Sequence, residues 1–251
     1  MKETVTRFTT DALVIKEMNV GESDRLVTLF TRDYGIIRAF ASGTKNLKSK
    51  KASGTSLLAF SSVSVAKRGD TYKIYEAQPI RMFFKAGSDI IRLSVSQYFC
   101  ELALELAPAG TPNEELLRLI LNSLYFLTQG DREPSLIKAI TELRAAAVSG
   151  YMPNLVACSG CGKFEDGIMR FDLLNGQLYC SDCRTTGECV NIDRTLLTAM
   201  RHIIYSEFKN LYSFTIPDKS AKMLSDITGR YITAQTEHRF STLDFYNSVK
   251  E

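Results

Sequence analysis

The sequence predicts a multidomain α+β protein, in which a small five-stranded barrel precedes a mainly α-helical part carrying a four-cysteine metal module. Three observations support that class. Between Asp11 and Ala77 short apolar runs alternate with period two and are separated by Gly, Asp and Asn turns. Past Pro79 apolar residues recur at helical spacing, and five of the six cysteines lie within 32 residues, from Cys158 to Cys189. A chain of 251 residues has room for two domains of ordinary size. The change of pattern divides them into 1–80 and 81–251, with the metal module at about 154–190.

The first strand is DALVIKEM. The turn-rich NVGES leads to DRLVTLFT and RDYG leads to IIRAFAS; after the stretch SGTKNLKSKKASGT come SLLAFSSVSVAK, the turn RGD and TYKIYEAQ. Five short antiparallel strands close most economically into a small barrel, and the oligonucleotide-binding (OB) barrel is the expected form. The helical part opens with DIIRLSVSQYFCELALELA, where Ile91, Val95, Tyr98, Phe99, Leu102 and Leu106 follow helical spacing. EELLRLILNSLYFLTQ begins with two acids, which suits the positive end of a helix dipole. PSLIKAITELRAAAVSG has Pro at its start and Gly150 at its end. DRTLLTAMRHIIYSEF and PDKSAKMLSDITGRYITAQT complete five helices.

The segment CSGCGKFEDGIMRFDLLNGQLYCSDC is C-x2-C, eighteen residues and C-x2-C. Zinc takes four soft ligands at the corners of a tetrahedron, and each C-x2-C turn supplies two thiolates on one edge. The expected ligands of a structural Zn2+ are Cys158, Cys161, Cys180 and Cys183, with a hairpin turn at Asn175-Gly176 between the pairs. Accidental spacing and two disulfides are the alternatives. Cys189 reads as a spare thiol, and Cys100, among Tyr98, Phe99 and Leu102, as a small buried apolar side chain. Four cysteines close the coordination shell, so the metal's role is expected in folding rather than in chemistry.

Catalytic patterns are missing. There is no G-x-x-x-x-G-K-[ST], no G-x-G-x-x-G and no H-x-E followed by P-C-x-x-C. The two histidines, His202 and His238, have no marked nucleophile partner, and Glu22 and Asp24 share one turn, as acids commonly do. The chain is therefore expected not to be an enzyme. No run of about 18 apolar residues and no apolar leader precedes the first strand, so a cytoplasmic protein without a membrane segment is expected.

Charge is uneven. Residues 1–80 carry 13 basic and 8 acidic side chains, whereas the rest carry 18 and 20. A basic barrel attracts a phosphate chain, and exposed rings stack on bases. Arg38, Lys45, Lys48, Lys50, Lys51, Lys67, Arg68 and Lys73 are the candidate phosphate contacts, with Tyr34, Phe40, Tyr72 and Tyr75 as candidate platforms. The competing readings are a solubilising loop for the lysines and core packing for the rings.

From about residue 10 to residue 245 the chain resembles the RecO family of bacterial recombination mediators. Three segments carry the resemblance: ALVIKEMNVGESDRLVTLFTRDYG followed by a basic loop, TELRAAAVSGYMPNLVACSGCG, and MRFDLLNGQLYCSDCR. Thr141 departs from the Phe that the family usually has there. The resemblance implies an OB barrel, a helical domain with a zinc module, and binding of single- and double-stranded DNA. It also implies strand annealing, association with RecR, and contact with the acidic C-terminal tail of single-stranded DNA-binding protein so that RecA loads. Arg118, Arg132, Lys138 and Arg144 are the candidates for that tail contact. Such a mediator is expected in the cytoplasm, associated with the nucleoid. A zinc-dependent nucleic-acid enzyme and an adaptor whose barrel binds only protein remain the rival readings.

Overall fold

A computed structural model describes residues 7–44, 51–68, 71–84, 89–185 and 187–250. Five strands come first: β1 (Arg7–Val20), β2 (Asp24–Thr31), β3 (Gly35–Ala41), β4 (Ala59–Arg68) and β5 (Thr71–Met82). β1 is long enough to pair with β4 through its first half and with β2 through its second, and a single parallel pairing of β3 with β5 completes a closed barrel in the order β1-β2-β3-β5-β4. Alternation decides what fills it. Val27 and Leu29, then Ile37, Ala39 and Ala41, then Val63 and Val65 point inward and are buried. Ala12, Ala59 and Ala77 complete an interior of small and branched side chains, which is what a narrow barrel admits.

The predicted strand SLLAFSSVSVAK begins three residues late. A short 3-10 turn spans Ser53–Thr55, Leu58 takes φ 63°, and pairing starts only at Ala59. Gly54 explains the turn: a Cβ there would lie 2.6 Å from the Ala77 carbonyl oxygen, so only glycine lets it pack on β5. Gly35 meets a similar constraint, since its Cβ would stand 2.2 Å from the Thr111 oxygen.

Two helices follow, α1 (Ile90–Leu106) and α2 (Glu114–Gln129). Asp89 caps α1 by accepting from the Ile91 and Arg92 amides at 2.8 and 3.1 Å, and Asn113 accepts from the Leu116 amide at 3.1 Å at the start of α2. Next come α3 (Pro134–Val148) and a three-stranded sheet ordered β7-β6-β8, from β6 (Ile168–Asp172), β7 (Gln177–Tyr179) and β8 (Cys189–Asp193). The expected hairpin joins β6 to β7. Asp172 accepts from the Leu174 and Asn175 amides and from the Asn175 side chain, and Gly176 takes φ 63°. Helices α4 (Arg194–Tyr205), α5 (Asp218–Thr236) and α6 (Ser241–Val249) end the chain. No helix among the described residues is long and apolar enough to cross a membrane.

The strands give way to helices after Met82, but the compact units divide the chain elsewhere. Unit 1 is Met1–Thr128 with Ser241–Glu251, and unit 2 is Gln129–Phe240. The barrel therefore shares its unit with α1, α2 and α6. Sequence periodicity did not predict α6, because its short run STLDFYNSV is largely polar. What secures it is Glu101 of α1. That carboxylate accepts from the Ser241 amide at 3.2 Å, the Thr242 amide at 2.8 Å and both their hydroxyls, acting as the cap α6 lacks locally.

Within unit 2, α3 packs on α5 across a buried ion pair. Lys138 Nζ lies 2.8 Å from Glu142 and donates to the Ser225 carbonyl at 2.9 Å, while Thr228 donates to Glu142 at 2.6 Å. Both charged side chains are 2% exposed or less. Thr141, beside them, is also buried and donates to the Ile137 carbonyl at 2.7 Å, so its hydroxyl is satisfied.

Two outcomes follow for stability. Glu142→Ala strands an ammonium and costs about 3–5 kcal/mol in urea unfolding, whereas Lys138→Met with Glu142→Leu is close to neutral. Burial opposes ionisation of Glu101, but the bonds from Thr242 and Ser241 outweigh it and hold its carboxyl below the ordinary value. Its contribution is therefore full at neutral pH and is lost as pH falls through the ordinary glutamate range to the lower folded value. Glu101→Ala should speed amide exchange in α6 at pH 7 and remove that acid dependence; unchanged exchange would refute the capping role.

Candidate functional site

The first cysteine pair sits in a tight loop. The Cys158 amide donates to the Lys163 carbonyl at 2.9 Å, the Gly162 amide to the Cys158 carbonyl at 2.8 Å, and Gly162 takes φ 76°. A Cβ on Gly160 would stand 2.9 Å from Cys183 Sγ, so glycine is required where the loops meet. The Cys180 amide donates to Cys158 Sγ at 3.3 Å. The sulfurs of Cys158, Cys161, Cys180 and Cys183 all lie within 4.8 Å of one another, and Cys161 and Cys180 are 3.7 Å apart. Four sulfurs about 2.3 Å from one tetrahedral ion stand about 3.8 Å apart, so the set can hold a metal ion.

Electrostatics agree. Burial opposes ionisation of Cys158, yet the Cys180, Cys161 and Gly160 amides pull its thiol down to about 6. The neighbouring sulfurs, Cys161 first, push Cys183 up to about 12. One bare thiolate thus suppresses the next, and a divalent cation removes that competition. Cys189 stands apart in β8, opposite Asp172, and Cys100 is 3% exposed in α1, where burial raises its thiol to about 12.

Two arginines that sequence spacing does not mark brace the module. Arg170 on β6 donates to the carbonyls of Cys180, Ser181 and Cys183, fixing the second cysteine loop. Arg201 on α4 donates to the Leu155, Val156 and Phe164 carbonyls at 2.7–2.9 Å, and its guanidinium lies 4.0 Å from the Phe164 ring. Asp166 adds a further link, accepting from the Ser181 amide and hydroxyl, which together hold its carboxyl below the ordinary range.

The barrel brings a second group together. Lys16, Arg38 and Lys67 line a groove of about 600 Å³ on its outer surface with Thr28, Tyr72 and Gly110. Cross-strand register aligns Lys16 with Thr28 and Thr28 with Arg38. Lys16 was absent from the expected set because a shift in register after Val14 turns it outward, which a strict alternation count does not foresee. Lys67 stands opposite Tyr72, and Lys73 opposite Phe40. Lys51 lies two residues before the 3-10 turn, its carbonyl accepting from the Thr55 amide and hydroxyl. Lys45, Lys48, Lys50 and two residues of the RGD turn lie outside the described residues, as does the Arg68 side chain.

Of the four rings, three have internal partners. Tyr34 and Tyr72 pack on Phe8 with centroids 4.0 and 5.8 Å apart, and Arg7 covers Tyr75 at 3.8 Å. Phe40 is 37% exposed. In the helical region Arg118 is exposed on α2. The expectation that Lys138 meets a partner is corrected by its burial in the ion pair with Glu142. Arg132 donates to the Phe214 carbonyl at 3.1 Å, and Arg144 gathers the Ile203, Ile204 and Ser206 carbonyls at the end of α4. His202 contacts the Asn210 carbonyl at 2.9 Å and packs on Phe214, while His238 packs on Phe240.

Comparison with known proteins accounts for nearly the whole chain. Residues 1–83 match the family model described as Recombination protein O N terminal, and residues 87–244 match Recombination protein O C terminal. The DNA repair protein RecO of Acetivibrio thermocellus is 31% identical over 241 residues, 96% of each chain. That of Desulfitobacterium hafniense is 31% identical over 232 residues, covering 90% of this chain and 84% of the other. A third, from Symbiobacterium thermophilum, is 25% identical over 247 residues, 97% of this chain and 98% of its own. With both family halves matched in order and a relative above 30% identity along almost its full length, the chain belongs to the RecO family.

Proposed function

We propose that this chain is a non-catalytic mediator of DNA repair whose barrel is an OB fold that binds single- and double-stranded DNA. The observation that carries this reading is the groove where Lys16, Arg38 and Lys67 converge, with no ion-pair partner for any of them among the described residues. Three exposed cations lining one groove give it a positive potential that attracts an anion. The shared name of the relatives, DNA repair protein RecO, supports phosphate as that anion.

Annealing asks little chemistry of the protein. It requires partial neutralisation of two phosphate chains so that complementary bases meet, and no nucleotide hydrolysis. Lys51 and Lys73 are further cations of the same domain, whose sequence also supplies Lys45, Lys48, Lys50 and Arg68. Family membership supports the remaining steps: association with RecR, contact with the tail of single-stranded DNA-binding protein, and assistance to RecA loading on coated strands. Arg118 is the exposed candidate for the tail. The cytoplasm, at the nucleoid, is the setting that goes with these partners.

We assign Zn2+ to Cys158, Cys161, Cys180 and Cys183. When bound, the ion closes the two loops and contributes to folding; four protein sulfurs leave no position for a reacting water. Arg170 and Arg201 then hold the loops whose sulfurs face the ion.

Two measurements test this function. With four to six phosphates contacted, log affinity for single strands falls with log salt at a slope of about −3 to −4, and replacing Lys16, Arg38 and Lys67 by Ala reduces the slope by about 2. An unchanged slope would move DNA off this groove and favour a protein-only barrel. Metal analysis should find one zinc per chain, none in Cys180→Ser, and a lower melting temperature after chelation. Strand cleavage or base release that needs the metal would instead favour an enzyme.

A further inference from the structure

The outward face of β1, β2 and β3 carries three cross-strand rows. Strand alternation assigns them: Val27 and Leu29 of β2 and Ile37, Ala39 and Ala41 of β3 fill the barrel, so Leu26, Thr28, Phe30, Ile36, Arg38 and Phe40 face away from it. In the first row Phe30 is fully buried and its neighbour Ile36 pairs with Ala109 of the loop after α1. The second row is cationic at both ends, with Lys16 and Arg38 flanking Thr28 in the groove described above. The third row runs Met18–Leu26–Phe40, and Lys73 stands opposite Phe40. Met18 is 53% exposed and Phe40 37%.

A cationic row thus lies beside an exposed apolar row, about 7 Å farther along the strands, and the apolar row is about 10 Å wide. Unpaired nucleic acid has matching chemistry on that scale. A nucleic-acid strand presents charge and an apolar ring face side by side, whereas a duplex offers the charge alone because its ring faces are stacked on one another. The nearest acids do not oppose this. Glu17 is turned to the other face of β1, 3.5 Å from Arg25, and Asp24 accepts from the Gly43 amide at 2.9 Å.

We propose that Met18, Leu26 and Phe40 form a platform for unpaired bases, and that this platform, not the cationic groove, lets the barrel distinguish single strands from duplex. The proposal rests on reading the groove as a phosphate site. Lys16 and Arg38 hold the backbone in either form of DNA, and the apolar row adds contact only when a base is unstacked. Phe40 supplies the one wide ring of the row, and Met18 adapts to whichever base lies beside it.

The chain has no tryptophan, so Phe40→Trp installs a single reporter in the row. Saturation with a short oligothymidylate should quench its emission, while a duplex bound at the same groove should leave the emission unchanged. Phe40→Ala with Met18→Ala should weaken oligothymidylate binding roughly 5-fold or more. Duplex affinity, set by phosphates, should stay within about two-fold. Both side chains are on the outside of the barrel, so circular dichroism and melting should match the parent. Equal quenching by both DNA forms, or no quenching by either, overturns the platform. If the charge variant of Lys16, Arg38 and Lys67 still loses binding in that case, the groove reading stands without the platform. If it does not, the groove reading falls as well.

Discussion

Closure of the barrel is the constraint on which the binding surface depends. Once β1 pairs with both β2 and β4, every second residue is committed to an interior that accepts only side chains such as Ala12, Val27, Ala39 and Val63. The outward set is then fixed as a consequence. Lys16, Arg38 and Phe40 share one face because their neighbours along each strand are needed inside. The register shift after Val14 is essential to this. Without it Lys16 would share a face with Val14 and point into a core that cannot hold an ammonium.

Unit 2 solves a different problem with similar economy. Its sheet has three strands and its longest is five residues, so packing alone supplies little of the order that the cysteine loops need. Arginines take over that task. Arg170, Arg201 and Arg144 each gather two or more main-chain carbonyls. A planar guanidinium with five donors suits this role better than an ammonium does. Lys138 is used where one compact charge meets one carboxylate between two helices.

Much of this was legible in the sequence, for identifiable reasons. The five strands, five of the helices and the Asn175-Gly176 hairpin follow from periodicity and turn residues, because each is specified by neighbours along the chain. The four-cysteine group follows from ligand spacing. What sequence left open depends on partners distant in the chain. Arg132, Lys138 and Arg144 resemble surface cations until the structure supplies Phe214, Glu142 with Ser225, and the end of α4. Tyr34 and Tyr72 resemble stacking platforms until Phe8 occupies them. Helix α6 has too weak a period to predict, since its fixed point is a carboxylate 140 residues away.

That last contact also links the two units through connectivity alone. Unit 2 is inserted between α2 and α6, so docking α6 on Glu101 closes a loop that contains all of Gln129–Phe240. While unit 2 is folded, its own contacts have already spent the entropy of those residues. If it unfolds, α6 must close a flexible loop of about 110 residues, at a cost of about 4 kcal/mol from the logarithmic dependence on length. Against that cost the bonds from Ser241 and Thr242 to Glu101 supply about 1–2 kcal/mol, and burial of Leu243 and Tyr246 adds to them. A metal ion held by the four cysteines of unit 2 would therefore stabilise the attachment of α6 in unit 1 through the connectivity of the chain.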